Sequence, residues 1–140
     1  MKSTKSFLKL IILFTLIFLS SIIAQDTIDG TKSLIKIEDA FNSGEVSSLG
    51  EYIDSKTYFS FTSDLTGYYS YSQIYNLLKD YFSAYTPIKF KFSSKQGESQ
   101  TPFGWGEYIY LRNGIRGSHK IFISLQKSGP NFYISQISIN

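Results

Sequence analysis

Two rhythms of apolar and polar positions run along this chain, one of helical period and one of period two. Leu34, Ile35, Ile37, Ala40 and Phe41 recur mostly at helical spacing and Gly44 follows as a stop, which predicts a helix over 31–43. A short second helix is expected over 45–53, with Val46, Leu49, Tyr52 and Ile53 on one side. The third helical segment is the most regular. Ile74, Leu77, Leu78, Tyr81, Phe82 and Tyr85 fall on one stripe. Ahead of it, Ser70 and Gln73 form an S-x-x-Q capping box that satisfies amides at the helix start. Thr86-Pro87 ends the helix, because proline donates no amide proton and crowds the preceding turn.

The period-two rhythm begins at Thr57–Ser63, rich in β-branched and aromatic residues, and Asp64–Gly67 follows as a turn. After Pro87 everything reads as strand. Ile88, Phe90 and Phe92 alternate with Lys89, Lys91 and Ser93, and further strands are expected over 103–112, 118–127 and 132–139. Asn113-Gly114 and Ser128–Asn131 mark the intervening turns. Short connections imply antiparallel neighbours, so the order predicts an α+β domain with helices on one face of an antiparallel sheet.

The first segment has a different grammar. Lys2, Lys5 and Lys9 precede an almost continuously apolar run, Leu10–Ile23, and Ala24 stands just before Gln25. That is the layout of a bacterial secretory signal cleaved after Ala24, leaving residues 25–140 as one exported domain, periplasmic or secreted. The alternative is an uncleaved anchor in the inner membrane, but the run is shorter than the ~20 residues a spanning helix needs. No cysteine follows it, so a lipoprotein anchor is excluded.

Charge changes meaning once that segment is set aside. The whole chain carries a formal +3, yet residues 25–140 hold eleven basic and eleven acidic side chains. The domain has no bulk electrostatic reason to seek nucleic acid. With no cysteine and one histidine, thiol chemistry and metal centres are poorly supplied, and no cofactor is expected.

Several stretches, taken in order, resemble a family of short exported bacterial proteins known as domain of unknown function 4783. They are Ala40–Gly44, Tyr69-Ser70 through Leu78–Phe82, Pro87–Phe90, Lys120–Ile123 and Tyr133–Ile139. The resemblance implies a curved, cystatin-like cone of the nuclear transport factor 2-like type, and it implies export. It carries no activity. Two departures are visible: Lys95 stands where a histidine is expected before Gly97, and Ile109, Tyr110 and Leu111 are bulkier than the family's pattern.

Few residues are candidates for chemistry. His119, the single imidazole, shares strand parity with Ile121 and Ile123, and no triad partner lies in a recognisable context around it. Among the acids Asp64, Asp80, Glu98 and Glu107, only Glu107 shares parity with apolar residues, Ile109 and Leu111, and is expected to point inward. Gly104-Trp105-Gly106 reads as a strand bulge or bend rather than a phosphate loop. Strand parity also gathers Tyr108, Tyr110, Phe122 and Ile134 on the outer sheet face as an aromatic-apolar patch with a polar rim. These features favour a non-enzymatic module that binds a small apolar ligand or an envelope protein, with a homodimer expected through that patch. The alternative is a small isomerase- or cyclase-like enzyme on the same fold, using Glu107 or His119.

Overall fold

A computed structural model describes residues 29–140; the N-terminal apolar run and the cleavage expected after Ala24 lie outside the described residues. Helix α1 spans Thr31–Ser43 and ends at Gly44, whose φ of 69° is the left-handed conformation that closes a helix. Helix α2 is one turn, Val46–Leu49, followed by a 3-10 turn over Gly50–Tyr52. Strands β1 (Ile53–Ser60) and β2 (Thr66–Tyr69) form a hairpin, and α3 (Tyr71–Ala84) follows. Strands β3 (Thr86–Gln96), β4 (Phe103–Arg112), β5 (Ile115–Ser128) and β6 (Asn131–Ile139) complete the chain.

The long helix starts as its cap predicts. The Ser70 amide and hydroxyl both donate to Oε1 of Gln73, each at 2.9 Å, which holds the entering chain against the first turn. Between β4 and β5, Asn113 and Gly114 both have positive φ, as a type I′ hairpin turn requires.

Three expectations need correction. The second helix stops at Leu49, and Ile53 already belongs to β1, so the first strand begins four residues before Thr57. Thr66 and Gly67, expected in a turn, are the start of β2, which pairs with β1. The sheet, in the order β2-β1-β6-β5-β4-β3, is also not wholly antiparallel: β1 runs parallel to β6. Short connections govern neighbours in sequence, whereas β6 reaches β1 from the far end of the chain and is free to lie either way.

Helices cover one face of this curved sheet. Leu34, Ile37 and Phe41 of α1 and Ile74, Leu78, Tyr81 and Phe82 of α3 are buried in one cluster with the inward residues of the strands. Those inward residues form cross-strand rows. Gly106, Ile121 and Ile139 make one row, and Gly104, Ile123, Ile137 and Phe59 the next. Where β1 slips register against β6, the buried Thr57 hydroxyl donates to the Ile134 carbonyl at 3.0 Å. Asn42 of α1 does the same service at the β3 edge, accepting from the Phe90 amide at 2.7 Å and donating to its carbonyl at 2.6 Å. Glu38 accepts from the Phe92 amide and meets Lys95 at 3.8 Å, so the edge strand is held by helix side chains on its free side.

Candidate functional site

The concave side of the sheet is filled with rings. Phe41, Phe82, Phe90 and Tyr108 pack at centroid distances of 5.2 to 6.4 Å, mostly edge-on or tilted, where aromatic quadrupoles attract. Tyr108, expected on the outer face, is fully buried here and donates to the Tyr85 carbonyl at 2.6 Å, capping the end of α3. Burial pushes its phenol, and that of Tyr81, well above the usual range.

Beside this core lies a second aromatic group, partly open to solvent. His119 stands on the Ile121 side of β5, directly opposite Tyr108. Its ring is packed by Phe61, Tyr81, Tyr85 and Tyr110, with centroids 4.6 to 5.8 Å away, and its Nδ1 lies 2.9 Å from the Tyr81 hydroxyl. Arg112 donates to the Tyr85 hydroxyl at 2.8 Å. Burial first, and the Arg112 charge second, hold the His119 imidazole below its ordinary value of 6.5. The imidazole is thus a neutral member of a ring cluster, and among the described residues its polar partner is the Tyr81 hydroxyl rather than a carboxylate. Among the described residues no aspartate or glutamate is buried. Among them, too, no three His, Asp or Glu side chains converge as a metal site.

Glu107 points the other way from the expectation. It is exposed on the outer face, opposite Lys91 on one side and Lys120 on the other. The inward positions of β4 are Gly104, Gly106, Tyr108 and Tyr110, so the aliphatic residues that set the parity, Ile109 and Leu111, lie outside. The two glycines are there for closeness. A Cβ on Gly104 would come within 2.7 Å of the Phe92 ring, and one on Gly106 would run into the Lys91 carbonyl.

The outer face has a different centre from the expected patch. Phe122 is on it, but Tyr110 faces the His119 cluster, and Tyr108 and Ile134 are buried inside. Ile134 is turned inward by a bulge. Leu125 pairs with Ile134 while Ser124 pairs with Gln136, which leaves Ser135 as the extra residue and inverts the alternation beyond it. In place of the missing members stand Phe103 and Trp105. One cross-strand row runs Ser94, Trp105, Phe122, Ser138, Ser60, and the next runs Gln96, Phe103, Ser124, Gln136, Tyr58. Phe103 and Phe122 lie 6.0 Å apart, Trp105 is 46% exposed, and no described helix covers them. The signal for Trp105 was its pair of flanking glycines, which mark an inner face too tight for side chains and so an outward tryptophan.

This curved sheet with helices on one side has the nuclear transport factor 2-like fold. The chain belongs to the family described as domain of unknown function 4783, whose model matches residues 34–140. A member from Bacteroides fragilis is similar in structure, with a TM-score of 0.66, 19% identity and coverage of 75% of this chain and 94% of that one. One from Bacteroides ovatus gives 0.65 and 17%, covering 74% and 90%. A protein of ketosteroid isomerase-like fold from Catenulispora acidiphila, solved in complex with trimethylamine, gives 0.60 at 9% identity, covering 76% and 82%. No curated protein matches the sequence.

Proposed function

We propose that this is an exported, non-catalytic binding domain of the bacterial cell envelope, and that it works through the uncovered face of its sheet. The observation that carries this reading is the group Phe103, Trp105 and Phe122 on the sheet face that no described helix covers. An exposed indole beside two half-buried phenylalanines on a polar face suits a contact site, because rigid rings bury much area at little entropic loss. The concave side supports the same reading. Isomerase chemistry of the kind weighed above needs room and an inward acid there, and among the described residues Phe41, Phe82, Phe90 and Tyr108 fill that side while no aspartate or glutamate is buried.

The test is photo-crosslinking in cells, with a benzophenone side chain at position 122 or 109 and, as a control, at exposed position 80 on α3. Adducts are expected from positions 122 and 109 in the envelope fraction, on a protein whose intact mass lacks residues 1–24. A dimer-sized product would identify the partner as a second copy. Adducts from position 80 alone, or a protein confined to the cytoplasm, would refute the proposal.

A further inference from the structure

Resting on the reading that the uncovered face is the working surface, we infer that the groove beside Trp105 binds an oligosaccharide that carries carboxylate groups. The groove consists of two adjoining depressions, of about 490 and about 340 Å3, that share Ser93 and Glu107. Trp105 lines one depression and Ile109 the other, four residues apart on β4 and so about 13 Å, which is room for more than one sugar ring. Its shape comes from the backbone. Ser93 is the extra residue of a bulge in β3, and beside it the inward Gly106, paired with Phe92, lets the Lys91 backbone press close to β4.

The chemistry of the walls selects the ligand. An exposed indole offers a flat apolar face to the C–H side of a pyranose ring. Around it Lys91, Glu107 and Lys120 stand in one cross-strand row, and Lys89 lies opposite Ile109 in the next. None of these four charged side chains makes a hydrogen bond or ion pair with another described residue. Three lysine side chains against the Glu107 carboxylate make the groove's side chains basic, in a domain whose side-chain charges cancel only as a whole. The lysines call for anions, while Glu107 accepts only from donors such as hydroxyl groups. A sugar acid presents both on one ring. Single-stranded DNA would bring phosphates beside Glu107 and no free hydroxyl groups along the strand.

Trp105 is the only tryptophan in the chain, so its emission reports on this groove alone. The mature protein is titrated with oligogalacturonate, with a neutral gluco-oligosaccharide and with oligothymidylate. A saturable, blue-shifted emission change is expected with the uronate, and salt should weaken it. Binding should fall by about tenfold or more in Lys91→Gln/Lys120→Gln. Calorimetry should show a similar loss in Trp105→Ala, with thermal melts confirming that each surface variant is folded. An equal response to the neutral sugar overturns the role of the lysines, and a response to oligothymidylate alone overturns the ligand class. No response to either sugar, with crosslinks from position 122 intact, overturns this inference and leaves the surface reading standing; loss of both refutes both.

Discussion

The Tyr81 hydroxyl lies 2.9 Å from Nδ1 of His119, a polar link between the long helix and β5 across an otherwise apolar seam. With the phenol protonated and the imidazole held neutral, the Nε2-protonated tautomer lets Tyr81 donate. A histidine whose folded pKa is depressed binds its proton more readily in the unfolded chain. Stability is therefore fullest above the ordinary value of 6.5 and falls as the pH drops through it. His119 is the only histidine, so its single ring resonance should titrate with a midpoint below 6.5. In urea melts, His119→Phe should show less loss of stability than the wild type between about pH 7.5 and about pH 5. An ordinary midpoint would show that the ring is not shielded as described.

Leu78 sits at the middle of the α3 stripe and is fully buried. Leu78→Ala is expected to cost about 2–5 kcal/mol, from lost burial and the cavity left among packed rings. Denaturant melts check this against Lys79→Ala on the exposed side of the same helix, which should be nearly neutral.

Thr57 is the one buried polar side chain of the described core besides the tyrosines, and its hydroxyl serves the Ile134 carbonyl. Thr57→Val keeps the shape and removes the donor, so about 1–3 kcal/mol should be lost. Thr57→Ser keeps the donor and should recover part of that loss in the same melts. Equal destabilisation by both variants would mean that packing, rather than the hydrogen bond, matters at this register slip.

Gly106 faces the Lys91 carbonyl too closely for any side chain. Gly106→Ala should therefore destabilise the domain by about 1–3 kcal/mol, as overpacking does elsewhere. A neutral result in thermal melts would show that β3 gives way easily at its bulge.

How much of this was legible in advance depended on whether the signal was local. The long helix was fully visible, because a cap and a stripe are properties of one segment: Ser70, Gln73 and the apolar residues from Ile74 to Tyr85 needed no partner to be read. The Asn113-Gly114 turn was visible for the same reason, since positive φ is a demand on those residues alone. Residues 103–112 also matched β4 end to end, yet which side of that strand is the inside was not legible. Its apolar residues occur at both parities. The choice fell to the helices, which press on the side where Gly104 and Gly106 let Phe92 and the Lys91 backbone come close. Ile134 was misplaced by one bulged residue, Ser135, because alternation counts pairs and an unpaired residue exists only with respect to a neighbouring strand. The parallel contact of β1 with β6, and with it the uncovered row of Trp105, Phe122 and Ser138, joins residues far apart in the chain. Local sequence determined the elements and the turns; only the assembled sheet decided which rings became core and which were left facing out.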